Sequence, residues 1–127
     1  MPVPVATAVP PLVLRPARSG LARLLGLHAH PGLSDRSGLW LIPCKAVHTS
    51  FLRNDIDVVF LDRRGDILRV VSRLKPWRVA ACMRAHSVIE LPGGYCLRHP
   101  DHRGRIRAAL SNAQGVAVVA LFPKTLR

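Results

Sequence analysis

Six residues, Ile56-Asp57-Val58-Val59-Phe60-Leu61, are apolar at every position but one, and Asp62-Arg63-Arg64-Gly65 follows at once. A short apolar run rich in β-branched and aromatic side chains and closed by a turn reads as a strand covered on both faces. Gly65 supplies the positive φ that a type I turn with a following bulge requires. The return strand, Asp66 to Lys75, alternates in part, with Leu68, Val70 and Leu74 on one side and Arg69, Arg73 and Lys75 on the other. This hairpin commits the chain to a sheet.

The flanking sequence extends the same pattern. Residues 1–11, with Pro2, Pro4, Pro10 and Pro11, read as an irregular arm, and 12–127 as a single β-rich domain. Pro11 to Leu14 opens a first strand, and Ser19 caps a short helix over Leu21 to Leu27. Residues 28–38 have loop composition. Leu39 to Ile42 is a strand stopped by Pro43, and Val47 to Leu52 a second extended piece. Arg53-Asn54-Asp55 is a hairpin turn into Ile56.

Pro76-Trp77 closes the return strand, and His86 to Leu91 is a further strand ended by Pro92-Gly93-Gly94. A short basic helix over 103–110 and a final strand over Val116 to Phe122 complete the reading. Short strands punctuated by turns imply a mainly β fold, a small antiparallel barrel- or sandwich-like domain with one or two short helices.

Size agrees with one domain, since 127 residues lie within the usual range. The formal charge of +12 comes from 16 Arg and 3 Lys against 7 acidic residues. Such a balance attracts polyanions, nucleic acid among them, through phosphate contacts and counterion release. A solvated surface with arginine-rich composition is the competing reading. Cys44, Cys82 and Cys96 are odd in number and contain no Cys-x-x-Cys pair, which argues against a disulfide framework and for a reducing compartment. The first 14 residues lack a basic start and are broken by prolines, so the sequence does not read as a secretory leader. No apolar run reaches the ~18–20 residues of a membrane span. The expectation is a cytoplasmic protein without membrane attachment.

Several groups invite chemistry. Cys44 and His48 are four apart, but Pro43, Val47 and Thr49 favour extended backbone. At ~3.3 Å per residue they would then stand roughly 13 Å apart, too far for a nucleophile–base pair. Cys82 and His86 are four apart, and the only tight pairs, Cys96-x-x-His99 and His99-x-x-His102, fall in a stretch of loop composition without the Cys-x-x-Cys common in structural zinc sites, so no metal and no cofactor are expected.

Asp57 needs partners in an apolar strand, because an unpaired buried charge is costly. A three-residue turn at 53–55 pairs Leu52 with Ile56 and Thr49 with Val59. Thr49 then lies diagonal to Asp57 on one face, with His48 on the other. A hydrogen-bonded carboxylate that fixes the hairpin outweighs a catalytic one. Arg69, Arg73, Lys75 and Arg78 beside Trp77 form a basic strip, suited to polyanions or to protecting an edge strand.

The order of motifs is distinctive. Leu-Trp-Leu-Ile-Pro-Cys at 39–44, Val-His-Thr at 47–49 and Ile-Asp-Val-Val-Phe-Leu-Asp at 56–62 come in sequence. Gly65, Leu74-Lys75-Pro76-Trp77-Arg78 and Val88-Ile89-Glu90-Leu91-Pro92-Gly93-Gly94 follow. Over about residues 20–94 the chain resembles the prokaryotic family catalogued as domain of unknown function 192. The resemblance implies a compact, mainly antiparallel β fold with no established enzymatic activity. It also implies recurrent positions at Pro43, Cys44, His48, Thr49, Asp57 and Glu90. Leu52 and Asn54-Asp55 depart from the family pattern, and residues 95–115 stay unplaced.

The sequence therefore points to a non-enzymatic binding or accessory module whose ligand or protein partner is unknown. Its ligand-binding face would include His48, Thr49 and Asp57. An arginine-mediated nucleic-acid binder is the second reading. A hydrolase or metal enzyme using Cys44, His48 and Asp57 is the third.

Overall fold

Strand β4, Ile56–Leu61, is buried at all six positions because it has a strand on each side and a packed layer on each face. The structure, a computed structural model, describes residues 11–17, 36–50 and 52–121. Around β4 lie β1 (Val13–Ala17), β2 (Ser37–Leu41), β3 (Ala46–His48), β5 (Ile67–Leu74), β6 (Val79–Ala81) and β7 (Ser87–Pro92). Two helices follow, α1 (Tyr95–Arg98) and α2 (His102–Leu121). Five strands form one sheet in the order β1-β2-β7-β4-β5, and β3 and β6 form a separate two-stranded ribbon. The arrangement is mainly β and sandwich-like, with no closed barrel among the described residues.

The central hairpin forms as its sequence requires. Gly65 has φ +84°, and its N–H donates to the Asp62 carbonyl at 3.0 Å. The Asp62 carboxylate accepts from the N–H groups of Arg64 and Asp66, both at 2.9 Å, which fixes the turn as an Asx motif.

The partial alternation of β5 has a cause. Its register against β4 slips twice, between Leu61↔Ile67 and Phe60↔Arg69 and again between Val58↔Val71 and Ile56↔Leu74. Each slip is a bulge in β5 that resets which face a side chain meets. Ile67 and Val70 consequently pack on one face while Leu68, Val71 and Leu74 pack on the other.

Two cores result. On one face Val59, Leu61, Ile89 and Leu91 meet Tyr95, Cys96 and the helical residues Ile106, Ala109, Leu110 and Ala113. Those four fall at i, i+3, i+4 and i+7, one stripe of α2. On the other face Ile56, Val58, Phe60 and Val88 meet Val47 and Ala80 of the ribbon. At the edge, β1 runs parallel to β2, where Pro16 is tolerated because an edge strand leaves one N–H row unused.

Two expectations require correction. Of the segment expected over 47–52, Thr49 and Leu52 do not pair with β4; β3 pairs with β6 instead, Val47 opposite Ala80, and Phe51 lies outside the described residues. Both sides of β4 are taken by β5 and β7, leaving no edge for a third strand. The strand expected over 116–122 is helical to residue 121, because no turn signal separates it from the α2 stripe. A single Gly115 costs only about 1 kcal/mol in a helix. Strand β6 went unrecognised because three residues, Val-Ala-Ala, carry no period. The helix expected over 21–27 and residues 1–10 of the arm lie outside the described residues.

Phe60 is fully buried between the main sheet and the ribbon. Phe60→Ala is expected to lower stability by about 3–5 kcal/mol in urea denaturation. An unchanged midpoint would show that the ribbon does not close a core.

Candidate functional site

Two buried polar side chains in the chain's middle hold two unusual pieces of backbone. Asp57 is wholly buried on β4, facing the helical side of the sheet. Its Oδ1 accepts the N–H groups of Arg73 (2.9 Å) and Gly94 (2.7 Å), and its Oδ2 accepts that of Cys96 (2.9 Å). One carboxylate thus ties β4 to the second bulge of β5 and to the first turn of α1. Gly94 must be glycine there, since φ is +82° and a Cβ would stand 2.7 Å from the Arg73 guanidinium.

Thr49 is equally buried and performs the matching task on the ribbon. Its hydroxyl donates to the Lys75 carbonyl at 2.6 Å and accepts the Arg78 N–H at 2.8 Å. Its backbone carbonyl accepts the Trp77 N–H at 3.1 Å, and its N–H donates to Arg78 at 2.9 Å. These bonds clamp the turn Lys75-Pro76-Trp77-Arg78. Pro76 followed by Trp77 at φ +62° has the form of a type II turn, with a bulky residue where glycine is usual. Among the described residues Arg73 (φ +53°) and Trp77 are the non-glycine positions with positive φ. Asp57 holds the first and Thr49 the second.

The expected face of His48, Thr49 and Asp57 is therefore not assembled as a hairpin surface. Asp57 turns toward backbone N–H groups and Thr49 toward the 75–78 turn, and both are sealed. His48 is exposed on the outer side of the ribbon, opposite Val79. Cys44 packs against the ribbon-side core, and its thiol donates to the Ala46 carbonyl at 3.1 Å. Cys44, His48 and Asp57 do not converge, because Asp57 faces the opposite side of the main sheet.

Of the basic strip, Lys75 and Arg78 flank Trp77, while Arg69 reaches back to the Ala81 carbonyl (2.9 Å) and joins β5 to the ribbon. Arg73 turns toward Gly94. Among the described residues no three His, Cys, Asp or Glu side chains gather as a metal-binding group. His99 lies against the Tyr95 ring at 4.4 Å between centroids, and the His102 ring bonds the His99 carbonyl.

The outer face of the ribbon was not foreseen as a unit. Trp77 is 61% exposed, Val79 71% and Met83 74%, apolar residues in and at either end of β6, with exposed Lys45, Lys75, Arg78 and Arg84 in the same segments of the chain. Strand pairing of 46–48 with 79–81 creates this face, and the short β6 gave no signal of it. One sign was present: no acidic residue lies between Asp66 and Glu90, a span that holds five cations.

Asp57→Ala strands two buried N–H groups and one part-buried one; at about 1–3 kcal/mol for each buried group, a loss above about 2 kcal/mol is expected in chemical denaturation. Asp57→Asn, which keeps one acceptor oxygen, is expected to lose less. Burial first, then the Asp57 charge and hydrogen bond, push the Cys96 thiol up to about 12 from its usual 9.0. The folded state then keeps this proton while the unfolded state gives it up. That stabilisation is complete below pH 9 and is lost as pH rises toward 12. Comparison of the parent with Cys96→Ala should show a shallower decline in stability for the variant across that window. Parallel curves would refute the assignment.

The comparisons bear on the fold and the family. A protein of unknown function from Novosphingobium aromaticivorans DSM 12444 shares the fold at TM-score 0.56 and 19% identity, over 67% of this chain and 66% of that one. The chain thus spans just under two thirds of that protein. A Sinorhizobium meliloti 1021 protein, described as a putative transcription regulator, matches at TM-score 0.60 and 17% identity, over 68% of this chain and 73% of that one. No curated protein sequence matches the chain. The family model of DUF192, an uncharacterised family, matches residues 5–105, a longer span than the motifs at 20–94. By that match the chain belongs to the DUF192 family.

Proposed function

We propose that this protein is a non-enzymatic binding module whose working surface is the outer face of the β3–β6 ribbon, and that its ligand is single-stranded nucleic acid. The carrying observation is Trp77, a large ring held 61% exposed in a left-handed backbone by the buried Thr49 clamp. Backbone strain of this kind concentrates at binding and catalytic sites. Lys75 and Arg78 flank the ring in the chain, Lys45 and Arg84 add charge at the far end of the ribbon, where Lys45 Nζ donates to the Met83 carbonyl at 3.0 Å, and the ribbon carries no carboxylate to oppose them.

An exposed aromatic in a cationic field is the combination that binds unpaired bases. The ring stacks on a base while the cations follow the phosphates. His48 and Val79 extend the platform along the register pair. One ring supplies stacking of about 1–3 kcal/mol, so affinity depends mainly on the phosphate contacts and binding is sequence-tolerant. In this reading Thr49 and Asp57 serve the face from beneath, as supports rather than contacts.

Titration of the full chain with a single-stranded oligothymidylate, read by tryptophan fluorescence, tests the proposal. Trp40 is buried, so quenching reports Trp77. Four engaged cations predict a log–log salt slope of about −3. Trp77→Ala is expected to weaken binding about tenfold, in line with the loss of one stacked base. Absence of binding at low salt would sink the nucleic-acid reading.

A further inference from the structure

A second cationic feature lies away from the ribbon, where β5, the 92–95 turn and α1 meet. The Arg73 guanidinium lies over Gly94: a Cβ built there would stand 2.7 Å from its Nη2 and 3.0 Å from its Cζ. Arg98 Nη1 is 3.0 Å from the same point and donates to the Gly93 carbonyl at 2.8 Å. Two guanidinium groups from different elements therefore stand within about 6 Å of each other, a separation at which like charges repel. Both side chains are exposed.

Nothing in the sequence spacing requires this meeting; the fold constructs it. Arg73 reaches Gly94 because its backbone is held at φ +53° with its N–H on Asp57. Gly94 permits the approach because it has no side chain. One carboxylate is close: Asp57, beneath the turn, accepts three backbone N–H groups. The Asp55 backbone crowds Gly93, where a Cβ would stand 2.7 Å from the Asp55 carbonyl oxygen.

We propose that Arg73 and Arg98 form an oxyanion site over Gly94 that takes a phosphate group. Guanidinium forks match oxyanions bidentately, and Lys does not replace Arg in that geometry. Two guanidinium groups within about 6 Å of each other, with Arg98 Nη1 held on the Gly93 carbonyl, can share a tetrahedral ion with three or four oxygens more readily than a carboxylate with two. The strained Arg73 backbone has the character of a ligand clamp. This site uses none of the ribbon residues and goes beyond the nucleic-acid reading of that face.

The test is titration of the full chain with inorganic phosphate, followed by NMR of the arginine side-chain N–H signals. Saturable shifts at Arg73 and Arg98 are expected. Arg73→Lys and Arg98→Lys should each weaken binding about tenfold, whereas Arg78→Lys should not. Thermal melts of the variants verify folding. Equal phosphate binding by parent, Arg73→Lys and Arg98→Lys would overturn the site and mark non-specific charge attraction, as would equal weakening by all three Lys variants, which shows no preference for Arg73 and Arg98. A nucleoside 5′-monophosphate and a dinucleoside monophosphate, run in parallel, distinguish a terminal phosphate from a backbone diester, and saturable binding of either at these arginines supports the site. Because the readout is confined to Arg73 and Arg98, its failure is separable from failure of oligonucleotide binding at Trp77.

Discussion

The structure depends on a charge in the wrong place for a strand. Asp57 interrupts the apolar run of the central strand and is sealed from water. A buried carboxylate is tolerable only when hydrogen bonds replace its hydration. The fold meets that demand with three backbone N–H groups, none from β4 itself. Each donor needs a local departure from regular geometry: a bulge at Arg73, a left-handed Gly94, and a helical turn beginning at Tyr95. The irregular features around the sheet's end are therefore one arrangement with one cause.

Thr49 repeats the logic on a smaller scale. A hydroxyl has one proton and two lone pairs, and it is surrounded by the backbone of a single turn. The turn in turn presents Trp77. The chain thus invests buried polar groups in orienting exposed cationic and aromatic side chains. A polar group inside and a strained residue outside are coupled twice, Asp57 with Arg73 and Thr49 with Trp77. This coupling connects the fold to both proposed binding surfaces.

Legibility in the sequence followed the range of the signal. The Asp62–Gly65 turn and β4 were readable because they are local: an Asx residue, a glycine and an apolar run broken only by Asp57. β2 and β7 were readable for the same reason, bounded by Pro43 and by Pro92-Gly93-Gly94. That Asp57 required partners was readable; which partners was not, since the donors lie 16, 37 and 39 residues away. The hairpin register misassigned Thr49 because Asn54-Asp55 resembles a tight turn while β4 had no free edge. The start of α2 was read as a short helix over 103–110, but its length was not, because Val116, Val118 and Val119 carry a competing strand propensity. The ribbon face could not be read, because β6 has only three residues.

The span of the Asp57 contacts bears on how the molecule assembles. The β4–β5 hairpin closes a short loop through Gly65, so its entropic cost is small and it is expected early. Arg73 arrives with that hairpin. Gly94 and Cys96 come only when β7 has docked across β4 and the chain has turned at Pro92-Gly93. Until then the carboxylate has one protein partner and keeps its water. Final drying of the helical face is therefore expected to wait for the third strand. The transition state should contain the hairpin, while the closure of α1 over Asp57 belongs to the downhill side of the barrier.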